Sequence, residues 1–418
     1  MVAPTPRRIQ RLYLVLVAGN TLATSVIWGV NTLFLLDAGL TNFEAFAANA
    51  FFTAGMVLFE IPTGVVADVR GRRASYLLGT VVLSASTLLY YALWVSHGPF
   101  WQWAVVSVLL GLGFTFFSGA VEAWLVDALV ATGYTGALEA VFGRAQTVGG
   151  AAMLVGAVGG GVLAQATSLG FPFLVRAGAL VVMTVVAGLF MRDLGFTPDR
   201  SAPAREAVRD LLRASVRHGL GNRPVRWLML AAPFVSGVGI YAFYALQPFL
   251  LELYGREDAY VVAGLAAAIV AGSQIVGGLL ATRLRSAVRR RTTAIILSTA
   301  GSAVALGALA LTGSFVVALV LLVVWGLLEA ASEPVRRAYL NDLIPSRQRA
   351  TVLSFDSLMG NTGGVVVQPA LGRAADLVGY GTSYAFGALV QLVAVPFLVR
   401  SRQERHPADL GSQAPSAS

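Results

Sequence analysis

The chain has 418 residues, 56% of them hydrophobic and 12% charged, with a formal net charge of +9 and no cysteine. That composition excludes a soluble multidomain protein, a disulfide-stapled secreted domain and any thiolate metal site. Repeated apolar runs of about 20 residues, each long enough to cross a bilayer as a helix, define an all-α polytopic membrane protein instead. Every one of the 30 basic residues is arginine. On the spans drawn below only Arg176, Arg256 and Arg373 fall toward the outside. This asymmetry predicts cytoplasmic termini. The positive surplus is thus a property of topology and of contact with anionic lipid, and no nucleic-acid partner is expected.

Residues 1–10 form a short basic tail, and the first span covers about 12–36 with Asn20, Trp28 and Asn31 along it. This run is too long for a cleavable leader. The second span, about 45–66, ends in the polar stretch Gly64-Val-Val-Ala-Asp68-Val-Arg-Gly71-Arg72-Arg73, and the third runs from about 75 to 95. His97-Gly-Pro99 makes an outer turn, and Phe100, Trp101 and Trp103 form an interfacial aromatic belt. The fourth span ends near Asp127, and the fifth, about 139–166, carries Gly149, Gly150, Gly156 and Gly159-Gly160-Gly161. Small residues at such spacing let helices approach closely.

The sixth span is about 171–191. Within the polar stretch that follows, Val208, Leu211, Leu212, Ser215 and Val216 share one helical face, which predicts an amphipathic helix on the inner membrane surface. Spans seven to twelve are expected at about 227–251, 259–282, 293–311, 315–340, 351–371 and 383–399, followed by a disordered Ser/Pro/Ala-rich tail. The halves repeat. Gly170-Phe171 and Gly178-Ala-Leu-Val181 recur as Gly379-Tyr380 and Gly387-Ala-Leu-Val390, an offset of 209 residues. The expected domains are therefore a six-helix bundle over 1–192, a linker over 193–226, a second bundle over 227–400 and a tail over 401–418.

The spacing G-x-x-x-D-x-x-G-R-R between the second and third spans resembles the signature of the major facilitator superfamily, and the resemblance covers essentially the whole chain. It implies 12 transmembrane helices in two pseudo-symmetric six-helix bundles, with substrate bound near the midplane between the halves. One position departs, since many members carry a basic residue where Val69 stands. The run Gly156-Ala157-Val-Gly-Gly160-Gly161 resembles the family's helix-five antiporter motif, with Ala157 in place of proline, and simple close packing explains it equally well. Ser107 stands about where the fourth helix often carries arginine. The resemblance implies that Gly64, Asp68, Gly71, Arg72 and Asp127 form a conformational latch.

Charges inside a membrane cost about 2.5 kcal/mol or more at mid-bilayer, so each invites an explanation. Glu329, Glu333, Arg336 and Arg337 lie on one face of the tenth span. Glu333 is placed to pair with Arg336 or Arg337, and these three with Arg144 are the expected inner gate. Glu329 has no local partner of opposite charge and is the leading residue for proton coupling or for binding a cationic substrate, with Glu60, Glu122 and Asp356 as further protonation candidates. Asn20, Trp28, Asn31, Tyr241, Tyr244 and Gln247 are the expected cavity lining, which suits an amphipathic ligand.

Together these features predict a monomeric secondary transporter of the cell membrane. It would work by alternating access and export a small amphipathic molecule or drug against protons, with no cofactor or metal. Uptake or facilitated diffusion of a sugar, organic ion or lipid-like solute is the alternative. An enzyme is not expected, because the spans carry no histidine or cysteine cluster and the chain has no phosphate-binding P-loop.

Overall fold

The computed structural model describes residues 5–117, 119–196, 209, 216–344 and 349–410, and these are almost entirely helical. Most of the predicted amphipathic linker helix lies outside the described residues.

The first span is broken. Helix α1 (Pro6–Ser25) and helix α2 (Asn31–Asp37) are joined by a turn in which Trp28 N–H donates to Ser25 O and Val30 N–H to Ile27 O. Helix α3 (Asn42–Arg70) and helix α4 (Arg72–Ser96) are the second and third spans. The fourth, expected as one helix, is also interrupted, as α5 (Phe100–Thr115) and α6 (Ala120–Ala131), with Gly119 at φ +68°. Helices α7 (Leu138–Ala166) and α8 (Phe171–Phe190) complete the first six spans.

The second set is α9 (Arg223–Tyr254), α10 (Tyr260–Ala287), α11 (Arg291–Leu309) and α12 (Phe315–Leu343). Next come α13 (Arg349–Leu392) and α14 (Ala394–Gln403). Gly379 splits α13, at φ 82° and ψ 164°, so spans eleven and twelve meet at one residue that glycine reaches without a Cβ penalty. The sequence predicts a longer loop there, between about 371 and 383.

Among the described residues ten stretches are long and apolar enough to cross a membrane, one of them spanning the Gly379 break. Large apolar side chains such as Leu58, Val304 and Leu311 are exposed on the helix surfaces, as a lipid solvent requires.

The chain forms two compact units. The first is 1–40, 51–207 and 258–268, and the second is 41–50, 208–257 and 269–418. The opening turns of α3 and α10, the second helix of each half, are thus grouped with the other half's helices. In the first unit α1 packs on α7 and α8, while α4 packs on α5 and α8. In the second, α9 packs on α13 and α14, and α11 on α12, α13 and α14. Read by span number, the two pairing patterns coincide, the packing counterpart of the 209-residue repeat.

Close helix approach in the first unit depends on the α7 glycines. A Cβ on Gly160 would overlap the Val26 carbonyl oxygen, and one on Gly156 would overlap Ser25 Oγ. Gly160→Val is therefore expected to destabilise by about 1–3 kcal/mol through overpacking. A lower thermal midpoint in detergent would show it, and an unchanged midpoint would refute this packing role.

The tail departs from expectation. Residues 401–410 are ordered, with a short turn of helix at Pro407–Asp409. Asp409, 2% exposed, accepts the Thr292 N–H at 2.8 Å and the Thr292 hydroxyl at 2.9 Å. A carboxylate capping the free N–H groups at the start of α11 ties the chain end down. Residues 411–418 lie outside the described residues.

Candidate functional site

The predicted latch residues come together in the first unit. Gly71 takes φ 101° between α3 and α4, which sets Arg72 at the head of α4. Arg72 Nη1 lies 2.6 Å from Asp68 Oδ1, and its Nε lies 4.0 Å from Asp127 Oδ2. Its guanidinium also sits 5.8 Å from the centre of the Phe196 ring. Gly64 has open space where a side chain would go, so crowding does not demand glycine there.

Sequence reasoning missed Asp193. Its Oδ1 accepts the Arg73 N–H at 2.9 Å, and a Cβ on Gly71 would collide with its Oδ2. The signal was an acid just beyond the sixth span, beside Arg192.

The second unit repeats this arrangement without the sequence motif. Arg291 Nη1 pairs with Asp342 Oδ2 at 2.6 Å at the foot of α12, while Asp409 caps α11 beside it. Arg291, Asp342 and Asp409 thus occupy the places of Arg72, Asp127 and Asp193. Only a comparison of spans three, four and six with nine, ten and twelve would have found them.

Within the membrane-spanning part of the second unit the acidic residues separate into three kinds. Glu333, half-buried, pairs along its own helix with the exposed Arg337 at 2.5 Å. Arg336 instead crosses to the eleventh span and holds Asp356 in a bidentate pair, Nη1 to Oδ2 at 2.8 Å and Nη2 to Oδ1 at 2.7 Å. Asp356 is 6% exposed. Glu329 is held by neutral groups: Ser302 Oγ and Gln391 Nε2 each donate to Oε1 at 2.7 Å. Gln391 Nε2 also reaches Ser302 Oγ at 2.6 Å, closing a triangle across α11, α12 and the second part of α13. No guanidinium reaches Glu329 among the described residues. The buried Oε1 of Gln391 has no donor there either.

Glu60 is half-buried on α3, and Glu122 is exposed on α6. Arg144 is exposed on α7 and lies with Arg7 and Arg11 around a recess, so the structure gives it no ion pair with a described residue.

Of the expected cavity residues, Asn20, Trp28 and Asn31 belong to the first unit and Tyr241, Tyr244 and Gln247 to the second. Asn20 Oδ1 accepts from Tyr76 at 2.8 Å, while Trp28 is half-buried and Asn31 buried in the first unit. Tyr241 is fully buried, its hydroxyl 2.6 Å from Ser383 and its ring packed on Phe46 and Tyr384. Gln247 is also fully buried, and Tyr244 is half-buried against Phe243. For Tyr241 the contacts are those of a packing residue.

A further polar contact that the sequence did not suggest lies nearby. Asp376 accepts the Asn42 and Phe43 N–H groups at 2.9 Å each, and Tyr380 donates to the Asn42 side chain. Together these anchor the opening turn of α3 in the second unit.

Two six-span halves with matching internal packing, a glycine-arginine hairpin clamped by aspartates and paired charges inside the spans define a polytopic membrane transporter. The Major Facilitator Superfamily model matches residues 13–327 and again 259–417, and the chain belongs to that family. An uncharacterized MFS-type transporter of Methanocaldococcus jannaschii is 20% identical over 374 residues, 89% of this chain and 92% of the relative.

Among solved structures, the nucleoside transporter NupG superposes with a TM-score of 0.79 at 9% identity, over 94% of this chain and 99% of that one. A bacterial homologue of the human lysosomal transporter Spinster gives 0.70 at 17% identity, over 96% and 98%. A D-xylose–proton symporter gives 0.66 at 16% identity, over 93% of this chain and 95% of that one. At these identities the likeness is one of fold.

Proposed function

We propose that this transporter is a proton-coupled exporter of small amphipathic molecules, working by alternating access, and that Glu329 carries the proton. The observation behind this reading is the Glu329–Ser302–Gln391 triangle. A carboxylate inside the spans bonded only by a hydroxyl and an amide has no fixed cation to hold its charge, so gaining and losing a proton is its cheapest response to a change of surroundings. Glu329 itself is half-buried.

Gln391 suits both protonation states. Its Nε2 donates to the carboxylate, and on protonation a half-turn of the amide lets Oε1 accept the new O–H and gain the partner it lacks. Asp356 has a different role in this reading. Its two oxygens are committed to Arg336, which fits a structural or gating part.

The hairpin at Gly71 acts as the latch. Arg72 bridges the end of α3 and the end of α6, and breaking that bridge frees the two helix ends to separate. Asp68→Asn is expected to block transport while leaving expression and thermal stability near wild type. Wild-type flux in that variant would refute the latch.

Export itself is tested with purified protein in liposomes under an imposed pH gradient, following cationic dyes and proton movement together. Dye flux that collapses the gradient supports antiport. Equal dye movement without any gradient would make the protein a facilitator.

A further inference from the structure

We infer that the first unit carries a site for the phosphate of an anionic lipid headgroup. It lies where α1 begins, in a recess of about 730 Å³. Arg7, Gln10, Arg11 and Leu14 line one side of it, and Tyr134 and Arg144 line the other.

Spacing explains why these side chains converge. Positions 7, 10, 11 and 14 are three and four residues apart and share one face of α1. The opposite face is anchored in the core by Ile9, Tyr13 and Leu16, all buried. The Tyr13 ring meets Phe142 edge-on at 6.3 Å, which brings the start of α7, and with it Arg144, alongside α1. Three guanidiniums from two helices therefore surround one recess. All three are exposed, and none forms an ion pair with a described residue.

Like charges gathered this way repel one another unless an anion joins them. Two further features point to phosphate. Thr5 precedes α1 without a side-chain cap, so the positive end of the helix dipole lies open beside Arg7. Guanidinium forks match the oxygens of a phosphate, and the Gln10 amide offers a neutral donor.

Lipid is favoured over a soluble phosphate by what flanks the charges. Leu14, one turn past Gln10, is an apolar floor on the membrane side of the recess. Arg7 and Arg11 lie at the head of the first span, on the side that the arginine asymmetry assigns to the cytoplasmic leaflet, where anionic lipids concentrate. A basic recess between membrane helices at that level is suited to such a headgroup.

The test uses delipidated full-length protein in a neutral detergent, titrated with short-chain phosphatidylglycerol, phosphatidylcholine or inorganic phosphate while thermal unfolding is followed. Phosphatidylglycerol is expected to raise the wild-type midpoint, because a ligand bound to the folded state alone stabilises it. With about 1 kcal/mol for each arginine near the surface, combined Arg7→Gln, Arg11→Gln and Arg144→Gln should weaken the response on the order of a hundredfold. Arg144→Gln alone, which leaves α1 untouched, should weaken it about fivefold and serves if the triple variant folds poorly. As a control, Arg289→Gln with Arg290→Gln should respond as wild type does. An equal response of the Arg144 and triple variants would overturn the site. An equal shift from phosphatidylcholine would show a detergent-like effect and also overturn it. A comparable shift from inorganic phosphate would overturn the lipid assignment in favour of a soluble anion.

Discussion

Liposomes holding the wild-type protein under a pH gradient of about one unit are expected to concentrate a transported cation up to about tenfold, since one pH unit is worth about 1.4 kcal/mol per proton exchanged. With Glu329→Gln the same liposomes should reach equal concentrations on both sides. Glutamine keeps the shape and still accepts from Ser302 and Gln391, so the triangle survives while the exchangeable proton is gone. Substrate exchange in the absence of a gradient should continue, which separates lost coupling from lost folding. Undiminished accumulation by the variant would remove Glu329 from the proton path. Glu60 and Glu122 would then be the carboxylates to test next, as both keep accessible surface.

Arg336→Ala is expected to cost about 3–5 kcal/mol of stability, because it leaves Asp356 as an unpaired charge among packed helices. Asp356→Ala should cost a similar amount for the opposite reason. The double change Arg336→Met with Asp356→Leu should recover most of the loss, since a packed apolar pair avoids the desolvation that an ion pair must overcome. Thermal unfolding in detergent reads all three, and flux reads function. If the double variant is stable but does not transport, the pair serves movement. If it is stable and transports normally, the pair is structural. Single variants as stable as wild type would contradict the bidentate geometry.

Much of the architecture was legible because a bilayer leaves few solutions. Runs of about 20 apolar residues must be helices there, and the observed helix ends mostly fall within a few residues of those expected. The breaks were not legible. The turn after Ser25 and the one before Ala120 interrupt continuous apolar runs, and hydropathy cannot separate a helix from a turn of the same composition. The structure over 401–410 was missed because its charged and polar composition reads as tail. Asp409, a single buried carboxylate, decides the outcome through its bonds to Thr292.

For the site, the hairpin was readable since Asp68 and Arg72 are neighbours on successive turns and their spacing alone brings them together. The partners of Glu329 were not, because Ser302 and Gln391 lie 27 and 62 residues away. Arg336 likewise prefers Asp356, 20 residues on, to the nearer Glu333. The sequence by itself determined the membrane-spanning helices, the two-fold repeat and the set of charges that needed explaining, since these follow from composition and short-range spacing. Only the tertiary structure decided which charge meets which, because a side chain in the low-dielectric interior takes the partner that helix packing puts within reach.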